Sequence, residues 1–203
     1  MGWNYFEIYF RIKRKVTNED IHKLTDILKK FGAFYDIEQG YFDHNVNFHK
    51  GTVLEKDIDK VKLGYSAFSF KLNNIELQLV CQTNKDLISG FVMIEIPILT
   101  IFIKNYRKLE PILIGIVKEF LEAIEEVVYV HSGDHSYINV IMDAEEEKEI
   151  KEFVYASNNW ISYFPKEYLD ELKQVKDNVK KIQTKRGILF VDGSIKDHLL
   201  ELK

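Results

Sequence analysis

Two stretches of the chain gather side chains able to do chemistry. The first is VHSGDHSYIN, residues 130–139. Its His131, Asp134 and His135 put two imidazoles and a carboxylate within five residues. Neutral imidazole and carboxylate are good metal ligands, and imidazole carries protons near neutral pH. On a tight turn the three would suit a metal-dependent enzyme or a small hydrolase. The same residues have a structural reading, because Ser, Gly and Asp are turn formers. On that reading Ser132-Gly133-Asp134-His135 is the tip of a hairpin between VVYV and SYINVIM. Ligand count decides between them: zinc takes four protein ligands in a structural site and three in a catalytic one. This turn offers three at most and no nearby cysteine, so the turn reading is preferred and neither metal nor cofactor is expected.

The second stretch is DIEQGYFDHNVNFHKG, residues 36–51, which follows no regular period and reads as a long loop. Tyr41, Phe42, Asp43, His44, Phe48 and His49 lie in it. Long loops in small domains are often functional, and aromatic rings bury much area at little conformational cost. These six residues are the expected contact with a protein partner. The competing expectation is that the rings fold back over the sheet.

Other signatures are missing from the sequence: no G-x-x-x-x-G-K-[ST] phosphate loop, no G-x-G-x-x-G, no G-x-S-x-G and no H-E-x-x-H. Cys81 alternates with apolar residues and reads as a small buried hydrophobe. The basic run RIKRK at 11–15 reads as the exposed end of an edge strand, and the acidic run DAEEEKEIKE as a solvated helix face.

The elements that must position these residues are legible from periodicity. Phe6, Ile8, Phe10 and Ile12 alternate as a strand. Thr17 and Asp20 form a capping-box start for a helix carrying Ile21, Leu24, Ile27, Leu28 and Phe31, which Gly32 stops. Residues 61–72 and 75–82 flank Asn73-Asn74 as a hairpin. Residues 90–103 make an apolar strand with a bend at Pro97, and Pro111 opens a helix to about Glu126. Asp143 caps a further helix. Another begins near Pro165 and continues through Val179 and Ile182, before the strand GILFVDG. The order predicts an α+β fold: a single domain over 1–203 with a largely antiparallel sheet packed by helices. A faint echo of strand-helix-strand organisation divides it into halves 1–89 and 90–203, an echo that such chains also produce by chance.

The 203 residues are 46% hydrophobic and 30% charged, enough apolar content for a full core. A net charge of −4 gives no global attraction to nucleic acid or to an anionic membrane. FVMIEIPILTIFIK is too short and too polar to span a bilayer. No secretory leader is evident and the single cysteine fits a reducing compartment, so a cytoplasmic location is expected. Composition and architecture resemble the general style of toxin-neutralising immunity proteins and phage-encoded inhibitors, with no motif behind the resemblance. The leading expectation is a non-catalytic protein-binding protein of bacterial or phage origin. The alternatives are the hydrolase or metal-dependent enzyme using His131, Asp134 and His135, and a small-ligand sensor with a pocket between the sheet and the helix at 111–126.

Overall fold

The computed structural model describes residues 5–36, 41–42, 47–50, 65–83, 90–97, 106–134, 160–171 and 179–193. Strand β1 (Tyr5–Ile12) follows its alternation: Phe6, Ile8, Phe10 and Ile12 are buried on one face. Helix α1 (Asn18–Lys30) then starts on a capping box. The Thr17 hydroxyl accepts the Asp20 N–H at 3.2 Å, and the Asp20 carboxylate accepts the Thr17 N–H at 2.8 Å. Gly32, at φ +88, takes the left-handed conformation that ends the helix. Arg14 locks this corner, since its guanidinium donates to Asp20 at 2.9 Å and pairs with Glu126 at 2.9 Å. Burial alone would raise the pKa of Asp20, but hydrogen bonds from Arg14 and Thr17 hold it below the usual carboxylate value.

Past α1 come β2 (Phe34–Tyr35), β3 (Tyr41–Phe42) and β4 (Phe48–His49), then β5 (Tyr65–Leu72), β6 (Ile75–Thr83) and β7 (Gly90–Pro97). The β5–β6 hairpin turns on Asn73 and Asn74, at φ 51 and 64, as the dipeptide predicts. Helix α2 (Tyr106–Ala123) leads into β8 (Val127–Asp134) and β9 (Ile161–Pro165), followed by a 3₁₀ helix (Lys166–Glu171). Strands β10 (Lys180–Gln183) and β11 (Gly187–Val191) complete the described elements. The sheet order is β10-β11-β9-β8-β1-β7-β6-β5-β3-β4, with β2 also on β5, and every pairing is antiparallel. An α+β fold built on a large antiparallel sheet is therefore what the chain forms.

Both helices cover one face. Ile21, Leu24 and Leu28 of α1 and Leu113, Ile116, Val117 and Phe120 of α2 share one buried cluster with the inward residues of β1. The Phe120 ring meets Phe10 at 5.1 Å between centroids, which seats α2 on the sheet. The helices touch closely because residue 115 is glycine: a Cβ there would stand 2.6 Å from the Phe31 ring. The opposite face is apolar too, with Tyr9, Val80, Met93, Tyr129 and Phe164 in a second buried cluster. A sheet buried on both faces loses the apolar-in, polar-out alternation of a half-exposed one.

Several boundaries differ from the sequence expectation. Helix α2 starts at Tyr106, so Pro111 lies inside it and not in its first turn. The helix expected through Ile182 gives way to strand at 180–183, where the ladder with β11 overrides an apolar spacing that also suits a helix. The stretch 36–51 is no plain loop, since β3 and β4 pair within it and β3 pairs with β5. The helix expected after Asp143 lies outside the described residues.

Strand β1 lies between β7 and β8, so strands from 1–89 and from 90–203 alternate within one sheet. Antiparallel to both, β1 makes β7 and β8 parallel to each other, and α2 is the crossover that joins them.

Candidate functional site

Residues 130–134 of VHSGDHSYIN lie in a strand, not in a turn. Strand β8 runs unbroken to Asp134, with Glu7 opposite Gly133 and Phe6 opposite Asp134. Its turn-forming residues serve the sheet instead. The Ser132 hydroxyl accepts the Ile161 N–H at 2.8 Å and so ties β8 to β9 beside their short ladder. Gly133 lies on the same face as His131: a Cβ there would stand in ordinary contact with Nε2 of that ring, at 3.4 Å. His131 is fully buried between Tyr9 on β1 and Ser162 on β9. Burial pushes its pKa down to about 3, so the imidazole is neutral at physiological pH.

Positions 131 and 134 are three apart in one strand and belong to opposite faces of the sheet. His135 lies outside the described residues. The hairpin-tip placement of His131 and Asp134 is thus corrected: strand pairing holds both in the ladder, and His131 packs inside. Among the described residues no three of His, Cys, Asp and Glu come together as a metal site. Cys81 is buried, and burial raises its thiol pKa, which keeps it an uncharged hydrophobe.

The aromatic stretch has more to offer. Strands β2 and β3 share the outer edge of β5: Phe34 pairs with Lys71 and Tyr35 with Phe70, while Tyr41 pairs with Phe68 and Phe42 with Ala67. On β4, Phe48 pairs with Phe42 and His49 with Tyr41. Positions 67 and 71 of β5 lie on the face away from the helices, opposite the buried Phe68 and Phe70. The registers therefore assign Phe34 and Phe48 to that same far face, and Tyr35 and His49 to the helix face.

β2 is pinned from one side. The Tyr35 ring packs on Phe70 at 4.6 Å and carries Lys29 Nζ 5.0 Å from its centroid. Asp36 donates its N–H to the Ser69 carbonyl at 3.0 Å, and its buried carboxylate pairs with Lys71 at 2.9 Å. With Tyr35 and Asp36 fixed, alternation turns Phe34 outward. Phe34 is 56% exposed and Phe48 is 48% exposed, and they are the only exposed large hydrophobics among the described residues.

Of the six residues expected to meet a partner, Phe48 is exposed and His49 half-buried. The backbones of Tyr41 and Phe42 form β3, whereas Asp43 and His44 lie outside the described residues. Phe34 is absent from that set, although its position two residues after the Gly32 helix stop and next to Tyr35 is visible in the sequence. Burying a Phe side chain contributes about 1.5–3 kcal/mol relative to leaving it in water. Two such rings on one face of one sheet edge are suited to association.

A comparison with models of known protein families gave no match, and a search of the curated proteins gave none either.

Proposed function

We propose that the chain is a non-catalytic protein-binding protein that meets its partner through Phe34 and Phe48 at the β2–β4 end of the sheet. The observation that carries this reading is the exposure of both rings on one face of the sheet's β2–β4 end. Interface hot spots are enriched in large rings with a polar surround, and here Asn47 and Lys50 are exposed next to Phe48. The style of activity is that of an inhibitor or toxin-neutralising immunity protein of bacterial or phage origin, acting in the cytoplasm. No helix among the described residues is long and apolar enough to cross a membrane. The small net negative charge favours a protein partner over nucleic acid.

Capture from a native-host lysate with two baits tests this. The wild-type chain should retain a partner that Phe34→Asp/Phe48→Asp loses, while both baits melt at the same temperature. Addition of the wild-type chain should then lower the captured partner's own activity. Capture of the same partner by both folded baits would remove the aromatic end from the interface.

A further inference from the structure

The other end of the sheet is chemically unlike the aromatic one. The described residues 166–171 and 179–186 hold five Lys and Arg against three Asp and Glu, in a chain of net charge −4. Strand β10 is the terminal strand here, and among the described residues it pairs only with β11. Ile182 packs against the main core and fixes the strand, while Lys180, Lys181 and Gln183 are exposed. Arg186 spends its guanidinium on the Ile124 and Glu125 carbonyls at the end of α2, and Lys185 reaches Glu122 at 3.5 Å. Lys180 and Lys181 remain as the cations of the edge itself.

A terminal strand presents outward N–H and C=O groups that can pair with a further strand. Consecutive residues point to opposite faces, so Lys180 and Lys181 place one ammonium on each side of the edge. Like charges directly opposite one another across a ladder are destabilising, and opposite charges are favourable. An extended segment bearing carboxylates on both faces is therefore attracted. We propose that the β10 edge accepts an acidic, extended segment of a protein partner as an added strand, with its Glu or Asp side chains against Lys180 and Lys181. A nucleic acid fits less well. Its phosphate chain requires a continuous basic track, and Glu122 and Glu125 at the neighbouring end of α2 are exposed acids. This surface is distinct from the aromatic end and works by a salt-sensitive force.

The probes are a short peptide alternating Glu and Thr, its Lys-and-Thr counterpart, and single-stranded oligothymidylate. Hydrogen exchange of the amides at 180–183 and fluorescence anisotropy read the outcome on the whole chain. The Glu–Thr peptide should slow exchange across 180–183 and bind about tenfold or more tighter than the Lys–Thr peptide, with the advantage falling in high salt. Lys180→Glu/Lys181→Glu should reverse the preference, a gain that a misfolded variant would not show. Phe34→Asp/Phe48→Asp should bind the Glu–Thr peptide like wild type, which keeps this test separate from that of the aromatic end. Unchanged exchange, equal binding of the two peptides, an unreversed preference in the lysine variant, or tighter binding of oligothymidylate would each overturn the proposal.

Discussion

The two ends of this sheet solve the same problem in opposite ways. Any open sheet finishes in strands whose outer surface invites unwanted association, and charged side chains, lysine above all, are the common defence. The β10 end carries that defence as Lys180 and Lys181. The β2–β4 end has Phe34 and Phe48 exposed in its place. The two proposed contacts differ in kind, one apolar and not screened by salt, the other electrostatic and weakened by it.

The comparison requires both ends to hang from one core, and the largest effect should come from breaking that core. Phe120 packs on Phe10 beneath α2, so Phe120→Ala should cost ~3–5 kcal/mol, a large share of a domain's roughly 5–15 kcal/mol. Thermal melting followed at both ends should fall in a single, lower transition. Two separated transitions would make the ends independent units.

Acid acts on the same centre through His131. Unfolded, the imidazole takes a proton near pH 6.5; folded, it does so only near pH 3 because it is buried. Between those values the unfolded state binds more protons, so stability is complete above about pH 6.5 and declines as pH falls toward 3. The slope should approach 1.4 kcal/mol per pH unit. Denaturant titrations from pH 7 to 4 should show it, and His131→Leu should flatten it. An equal slope in that variant would assign the acid sensitivity to other groups.

The basic end can be loosened by itself. A Cβ on Gly187 would lie within 2.1 Å of the Phe164 carbonyl oxygen, in the β9–β11 ladder. Gly187→Ala should cost ~1–3 kcal/mol through overpacking and speed amide exchange in β10 and β11. Exchange in β5 should stay at the wild-type rate; acceleration there as well would show that the ends are coupled. The smallest stability effect belongs to Phe34→Asp/Phe48→Asp, about 0.5 kcal/mol or less, since both rings are exposed. A large drop in melting temperature would place the rings in the core.

What could be read in the sequence was what local chemistry decides. The alternation of β1, the Thr17–Asp20 capping box, Gly32 and Asn73-Asn74 all act within a few residues, and all stand as read. The errors arose where partners distant in sequence decide. Ser132 and Gly133 have turn composition, but Ser132 binds the Ile161 backbone and Gly133 pairs with Glu7 of β1, so a strand passes through them. Ile182 continued a helical spacing until pairing with Leu189 made it a strand residue. Strands β2, β3 and β4 have two residues each, too few to show any period. The candidate site was half legible. Phe48 was marked because it stood in an aperiodic aromatic stretch, whereas the outward turn of Phe34 depends on Tyr35 and Asp36 docking onto β5.

The central claim is that the aromatic end makes the partner contact. Hydroxyl-radical labelling of the chain, free and in complex with its captured partner, reads it directly by mass spectrometry of Phe34 and Phe48. Both rings should label readily in the free protein and be strongly protected in the complex, while Phe120 stays unlabelled in each. Equal labelling of Phe34 and Phe48 with and without partner would contradict the account.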